Sequence, residues 1–154
     1  MLRVLVLGAF VIAADQFTKA VVLRHLTAGT HIDIVDGYVT LTLVMNPGLA
    51  FGLLGGVPTG WRWIVAVLSM AALIVLARVA LRVLPGGSRL DHVAIGLIFG
   101  GAIGNLIDRV RFGAVVDFVD LHARGYHWPA FNVADSAISV GVVLLAIRLL
   151  LSRT

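Results

Sequence analysis

The sequence contains no cysteine and few charged residues, and both shortages restrict what the protein is. Without cysteine, the chain forms no disulfide bond and offers no thiolate for catalysis or metal binding. Charged residues make up 13% of the 154 positions, whereas soluble domains carry about 25%. All eight acidic residues are aspartates. The low charge content excludes an ordinary soluble globular protein.

Hydrophobic residues are abundant instead, at 60% of the chain, with a mean hydropathy of +1.03. They occur in long runs, which indicates an integral membrane protein rather than a globule with a large core. The net charge of +4 comes from twelve Lys and Arg residues scattered along the chain without a basic cluster. We therefore expect membrane lipid as the partner of these cations, and no nucleic acid.

Four segments have the roughly 20 apolar residues that a membrane-spanning helix requires. They are residues 2–23, 61–84, 90–107 and 134–151. Charged residues bracket each segment at intervals of about 27 to 30 Å, given a rise of about 1.5 Å per residue. The sequence thus predicts a mainly α, integral membrane fold of four transmembrane helices in a single membrane domain, residues 1–154.

The N-terminal segment also has a feature of cleavable signal peptides, because Arg3 precedes an apolar run. The small-residue cleavage pattern is poor, however, since Ile12 lies two positions before Ala14, and apolar sequence resumes after Lys19. We favour an uncleaved first helix.

Two segments outside the predicted spans, about 25–60 and 108–133, lie on the same side of the predicted helices. In the first, apolar and polar residues alternate on both sides of Asp36-Gly37, which predicts a β-hairpin over residues 31–44 and a small β-sheet. Positive charges are equally divided between the two sides and do not decide the orientation. The short connection 85–90, flanked by Arg82 and Arg89, favours cytoplasmic N- and C-termini, with the sheet and the second segment, predicted to be a loop, outside.

Asp15 and Lys19, in ADQFTKA, lie four residues apart on one face of the first helix, as an ion pair requires. Charged groups inside a membrane are costly and are therefore candidates for function. The pair either neutralises itself and holds this helix against its neighbours, or it contacts a substrate. The spacing favours the structural interpretation without excluding the other.

The third span carries a stripe of glycines at every fourth position, a pattern typical of closely packed membrane helices. The glycines are Gly96, Gly100 and Gly104. Asn105, Asp108 and Arg109 share one face of the same helix. Asn105 and Arg109 are equally consistent with helix packing and with donating hydrogen bonds to a substrate carbonyl or a lipid headgroup.

Two aspartates, Asp117 in VVDFVD and Asp135 in FNVADS, lie beside or at the start of apolar sequence. Asn132 is a candidate N-cap that would make Asp135 part of a capping box, so taken alone Asp135 is more often a capping residue than a catalyst. Together, two carboxylates that share one proton can activate a water molecule and polarise a carbonyl. The helix N-terminus favours ionised Asp135, which makes Asp117 the expected proton carrier. The spacing alone does not place the two side chains together.

Other catalytic chemistries have less support in the sequence. The five histidines show neither an HExxH motif nor a pair at metal-ligand spacing on a predicted helix. There is no GxSxG motif for a serine nucleophile, and no phosphate-binding P-loop. We expect no metal and no cofactor.

Five ordered blocks of the sequence resemble those of the bacterial lipoprotein signal peptidases (signal peptidase II). They are DQFTK at 15–19, MNPGLAFG at 45–52, GGAIGNLIDR at 100–109, VVDF at 115–118 and FNVADS at 131–136. Together they extend over nearly the full length of the chain. Pro47 and Leu49 stand where smaller or more polar residues are expected, which affects only the expected shape of that loop.

The resemblance implies that Asp117 and Asp135 are the catalytic dyad of an aspartic endopeptidase. The implied supporting or substrate-binding residues are Asn46, Asn105, Arg109 and Asn132, and Asp15 and Lys19 are implied to be largely structural. The implied substrate is a diacylglyceryl-modified prolipoprotein, cut immediately before its lipidated cysteine. The implied location is the bacterial cytoplasmic membrane, with the dyad at the extracytoplasmic face near the second outer loop. We expect a monomer.

Two other functions compete with the peptidase. A small proton-coupled transporter would use charged groups on several spans as a relay, but it would usually also show internal repeats, and none is visible. A non-catalytic assembly factor would use its aspartates only as caps and salt bridges.

Overall fold

The computed structural model describes residues 1–48, 60 and 62–151 of the chain. Four long helices and four strands follow one another along it. In chain order they are α1 (Leu2–His25), β1 (His31–Val35), β2 (Val39–Asn46), α2 (Arg62–Val83), α3 (Arg89–Phe112), β3 (Val115–Ala123), β4 (Tyr126–His127) and α4 (Val133–Leu151), with a 3-10 turn over Leu84–Gly86. Leu49, and Trp61 at the predicted start of the second span, lie outside the described residues.

All four helices are long and apolar enough to cross a membrane. This confirms the predicted fold class. The helix α3 continues to Phe112, five residues beyond the predicted end of the third span at residue 107. The helix continues through Asp108 and Arg109 because both side chains find hydrogen-bonding partners inside the protein. Unpaired charges in lipid would have stopped it earlier.

The contacts along the helices fix their relative directions. Gly8 of α1 faces Gly96 and Gly100 of α3, and Asp15 faces Gly104, so α1 and α3 run parallel. Gly101 faces the start of α4 at Ala134, whereas later α4 residues face earlier α3 residues, so α4 runs antiparallel to α3. The predicted glycine stripe therefore packs against α1, with α3 as the central helix.

The N-terminus of α3, at the end of the helix away from the sheet, has a capping box. The Ser88 hydroxyl accepts a hydrogen bond from the Asp91 backbone N–H at 3.3 Å, and the Asp91 carboxylate accepts one from the Ser88 N–H at 2.6 Å. Arg148 of α4 lies 3.6 Å from the same carboxylate. Such reciprocal bonds satisfy amide donors that the first helical turn leaves unpaired.

The strands form one antiparallel sheet in the order β1-β2-β3-β4. β1 and β2 make the predicted hairpin. The second outer segment, predicted as a loop over about 110–133, also contains the strand β3, which pairs with β2 along most of its length. The pairing joins strands separated in sequence by α2 and α3, and local sequence patterns carry no information on such partners.

The sheet packs on the bundle through a small apolar cluster. Val22 and Leu26, where α1 ends, contact Phe118 of β3. Partly buried residues from both outer segments surround them, namely Leu41, Leu43, Val119 and Val133. The cluster fixes β3 above the ends of α1 and α3 and beside the start of α4.

Candidate active site

Asp117 of β3 and Asp135 in the first turn of α4 both line a cavity of about 430 Å³. Asn46, Asn105 and Arg109 line the same cavity. The fold thus brings the two aspartates to one site, together with three of the four polar residues that the sequence grouped with them. Asn132, the fourth, does not line the cavity and is almost fully buried, at 1% exposure.

The Asp117 carboxylate is held by two asparagine amides. Asn46 donates a hydrogen bond to Oδ2 at 3.0 Å, and Asn132 donates one to Oδ1 at 2.7 Å. Asn46 reaches the carboxylate because Val44, two residues earlier on the same face of β2, is paired with Asp117 across the sheet. The strand pairing therefore positions the first amide.

Asp135 forms the predicted capping box with Asn132. The Asn132 side-chain oxygen accepts a hydrogen bond from the Asp135 N–H at 2.9 Å, and the Asp135 carboxylate accepts one from the Asn132 N–H at 3.3 Å. The amide of Asn105 also donates to Asp135 Oδ1 at 2.8 Å. Asn132 therefore links both aspartates, since it caps the helix that bears one and bonds to the carboxylate of the other.

Burial raises the pKa of the Asp117 carboxyl to about 7, and the negative charge of Asp135 adds to the increase. The hydrogen bonds from Asn46 and Asn132 oppose the increase because they stabilise the ionised form. Near neutral pH this carboxyl is therefore protonated in a large fraction of molecules.

A buried cluster of charged residues lies next to the site and contacts Asn105. The Lys19 ammonium lies 2.8 Å from an Asp15 oxygen and 2.8 Å from an Asp108 oxygen. It also donates a hydrogen bond to the Asn105 side-chain oxygen at 3.0 Å. The three charged residues are at most 2% exposed. A charge taken out of water requires this degree of pairing.

The two carboxylates of this cluster each bind the backbone next to one of the dyad aspartates. Asp15 accepts a hydrogen bond at 3.0 Å from the N–H of Ala134, which precedes Asp135. Asp108 accepts one at 3.1 Å from the N–H of Val116, which precedes Asp117. The cluster therefore joins α1 and α3 to the two backbone positions from which the dyad projects.

These contacts favour one of the two interpretations of the Asp15–Lys19 pair, the structural one. Neither residue lines the cavity, and all their contacts given above lie within the protein. Gln16, which the sequence analysis did not single out, extends the cluster with a hydrogen bond to Asp108 at 3.0 Å. Its position inside the DQFTK block was the signal that could have identified it.

Arg109 is placed at the cavity wall. It donates hydrogen bonds to the carbonyl oxygens of Gly48 at 3.0 Å and Asn105 at 3.4 Å. Its buried Nε has no hydrogen-bonding partner among the described residues. A guanidinium with an unused donor beside the dyad favours a substrate-binding role over a purely structural one.

The rest of the cavity wall is mainly apolar and comes from β3, the segment after β4, and α4. Its members include Leu121, Trp128, Phe131, Ile138 and Val140. A smaller cavity of about 260 Å³ adjoins it and shares Asn46, Asp117, Pro129 and Ala130. Pro47 lines this smaller cavity. Residues 128–131, which directly precede Asn132, were not predicted from the sequence as wall residues.

The chain matches a known protein family over most of its length. The family model described as signal peptidase (SPase) II matches residues 7–151. The lipoprotein signal peptidase of Geobacter sulfurreducens is 46% identical over 145 residues, which cover 94% of this chain and 88% of that protein. The lipoprotein signal peptidase of Desulforapulum autotrophicum is 42% identical over 158 residues, covering 99% and 94%.

Two solved structures share the fold over nearly the whole chain. One bacterial membrane enzyme solved at 2.3 Å is 33% identical, with a TM-score of 0.79, over 98% of this chain and 89% of that one. A second, solved at 1.9 Å, is 34% identical, with a TM-score of 0.76, over 96% and 92%. Because the family match extends over residues 7–151, which include both aspartates and nearly all of the four helices, the chain belongs to the signal peptidase II family of membrane proteases.

Proposed function

We propose that this protein is an aspartic endopeptidase that removes signal peptides from diacylglyceryl-modified prolipoproteins, with Asp117 and Asp135 as its catalytic residues. The observation that carries the proposal is the shared cavity, in which two aspartates from different elements are held by one asparagine. The family resemblance implies that the scissile bond is the one immediately before the lipidated cysteine.

Catalysis requires one proton shared between the two carboxylates. Asp117 begins protonated, in agreement with its pKa of about 7, and Asp135 begins ionised at the N-terminus of α4, where the helix dipole favours negative charge. Asp135 accepts a proton from a water molecule as the water oxygen attacks the scissile carbonyl carbon. Asp117 donates its proton to the carbonyl oxygen, which forms a neutral tetrahedral diol.

Collapse of the diol completes the reaction. The C–N bond breaks while Asp135 returns its proton to the departing nitrogen, and Asp117 recovers a proton from one hydroxyl of the diol. The products are a carboxylic acid and an amine, and the dyad is restored. Arg109 and Asn105, which line the same cavity, are positioned to donate hydrogen bonds to the substrate backbone.

The position of the cavity suits a substrate held at a membrane surface. The dyad lies where α1 and α3 end and α4 begins, beside the sheet. The apolar wall from α4 offers contacts for acyl chains or a signal helix, whereas the sheet side faces the polar mature part. We infer a multi-pass protein of the bacterial cytoplasmic membrane, with cytoplasmic termini and an extracytoplasmic active site.

The ion cluster argues against the proton-coupled transporter. In a relay, charged groups are spaced across the membrane and exchange partners. Here Lys19 is bound to Asp15, Asp108 and Asn105 at once, at the same end of the bundle as the dyad. These contacts support a structural role for Lys19, which holds α1 against the elements that carry the site.

The decisive test is cleavage of a purified diacylglyceryl prolipoprotein by the wild type, Asp117→Asn and Asp135→Asn. Each amide keeps the side-chain shape but cannot exchange a proton. We expect each variant to lose at least about 100-fold in rate, the lower end of what general acid–base catalysis supplies, while its melting temperature changes little.

Asp36→Asn is the matched control because it changes an exposed aspartate in the β1–β2 turn, away from the cavity. It should cleave at the wild-type rate. Wild-type cleavage by a folded Asp117→Asn or Asp135→Asn variant would remove that residue from the mechanism.

A further inference from the structure

The β3–β4 hairpin brings together three possible metal ligands that the dyad does not use. A ligand atom from each of Asp120, His122 and His127 lies within 4.8 Å of the other two. The His127 Nδ1 is 2.9 Å from the Asp120 carboxylate. The two imidazole rings are stacked, with centroids 4.9 Å apart. We propose that these three side chains bind a divalent transition-metal ion of the zinc class.

The backbone of the hairpin preorganises this set. His122 and His127 are directly paired across the antiparallel strands. Asp120 lies two residues before His122 and therefore on the same face of β3. The connecting residues Arg124 and Gly125 both have positive φ, 51° and 81°, as in the tight two-residue turn that fixes hairpin register. Little backbone ordering is therefore needed when a metal binds.

An ion pair alone does not account for the polar atoms of all three side chains. An ion pair between His127 and Asp120 uses those two residues but leaves the buried Nδ1 of His122 without a hydrogen-bonding partner among the described residues. Buried polar atoms are rarely left unpaired. A metal ion would remove that cost if His122 bound it through this nitrogen.

The donor set decides which ions fit. Two imidazoles and one carboxylate suit zinc, nickel or copper, whereas magnesium and calcium prefer a shell of oxygen atoms. Ligands bound to one tetrahedral zinc at about 2.0 to 2.2 Å lie roughly 3.3 to 3.6 Å apart. Side-chain rotation can bring the three donors to that spacing, because none of the three residues is fully buried. The fourth position would be left to water.

The proposed metal site is separate from the cavity that holds Asp117 and Asp135. Asp117 and Leu121 line the dyad cavity, whereas none of Asp120, His122 and His127 lines it. A bound metal would not touch the reacting atoms. Its presence is therefore compatible with hydrolysis that needs no metal.

Zinc binding to the full-length protein tests the proposal directly. The protein is purified in detergent without a histidine tag, stripped with a chelator, dialysed, and titrated with zinc by calorimetry. We expect one zinc ion per chain. His122→Ala and His127→Ala should each weaken binding at least tenfold, since even loss of a supporting partner costs about 10- to 100-fold. Excess magnesium should not displace the zinc.

His31→Ala is the matched control, because it removes an exposed histidine from β1 of the same sheet. It should bind zinc with wild-type affinity. Failure of the wild type to bind one equivalent, or equal affinity in the His31, His122 and His127 variants, would overturn the proposal. Because this assay measures binding rather than cleavage, its outcome does not depend on the proposed peptidase activity.

Discussion

Asn132 makes contacts that no other residue type could reproduce in full. Its side-chain oxygen caps α4 at the Asp135 N–H, and its side-chain nitrogen donates to Asp117 at 2.7 Å and to the Asn105 oxygen at 3.2 Å. An aspartate here would keep the cap but would replace the donor by a negative charge beside Asp117. The amide is therefore required because it accepts on one side and donates on the other.

Asn46 gives the clearest prediction at the level of a single residue. Its amide stabilises the ionised form of Asp117 and lowers the pKa of that carboxyl relative to burial alone. In the proposed mechanism Asp117 must be protonated, so kcat/KM should fall as the pH rises through about 7. Asn46→Ala removes the opposing hydrogen bond, raises the pKa further, and should shift this decline to higher pH.

The measurement is the pH dependence of kcat/KM from pH 5 to 9 (about two units on either side of the Asp117 pKa of about 7). Met45→Ala serves as the control, because Met45 precedes Asn46 on β2 but its exposed side chain donates no hydrogen bond to Asp117. A wild-type profile without a decline above pH 7, or a shift to lower pH in Asn46→Ala, would contradict Asp117 as the proton donor.

At the scale of helices and strands, hydropathy predicts more here than it does in a soluble protein. A chain in lipid must satisfy its backbone internally, so each long apolar run is expected to be a helix. Four helices occupy the predicted ranges, to within a few residues at the ends that the structure describes. The exception was the end of α3, where Asp108 and Arg109 continue the helix because other elements supply their partners.

What the sequence could not supply were contacts between distant elements. The bond from Ala134 to Asp15 joins residues 119 positions apart, and β3 finds its main partner in β2 across two helices. Periodicity describes only local structure, so the residue pattern alone did not bring Asp117 close to Asp135. The family resemblance provided that expectation, and the shared cavity agrees with it.

Lys19 provides a test of how α1 is joined to the elements that carry the dyad. Lys19→Met leaves the Asp15 and Asp108 carboxylates buried together without their cation. Breaking a buried ion pair on one side costs about 3 to 5 kcal/mol, so the variant should unfold at a markedly lower temperature. Arg111→Met is the control, since Arg111 is exposed and makes a hydrogen bond to Gln16 at 3.4 Å and a cation–π contact with the Phe112 ring, whose joint loss should cost less than about 2 kcal/mol.

The triple variant Asp15→Asn, Lys19→Met, Asp108→Asn tests whether uncompensated charge or lost packing destabilises Lys19→Met. It removes both unpaired negative charges while keeping side-chain oxygens that can accept from Ala134 and Val116. We expect it to melt above Lys19→Met in the same detergent. If the triple variant is no more stable than the single one, uncompensated charge is not what destabilises Lys19→Met.

At the scale of the whole molecule, the two ends of the helix bundle carry different structures. The sheet and the dyad lie at the end where α1 and α3 finish, and the turn between α2 and α3 lies at the other end, near Val4 and Ile95. The proposed function requires the first end to face outward, since a translocated prolipoprotein is cut there. Positive charge alone did not settle this orientation.

Because the chain has no cysteine, single cysteines introduced at each end can report the orientation without background. Asp36→Cys is exposed in the β1–β2 turn, and Gly86→Cys lies in the α2–α3 turn, where an added side chain meets open space. In spheroplasts, a membrane-impermeant maleimide should label the first variant at once and the second only after the membrane is permeabilised. Both variants should retain peptidase activity, which shows that the labelled proteins are native. Labelling of Gly86→Cys from outside would place the dyad in the cytoplasm, where it could not meet a substrate that is modified and cut after export.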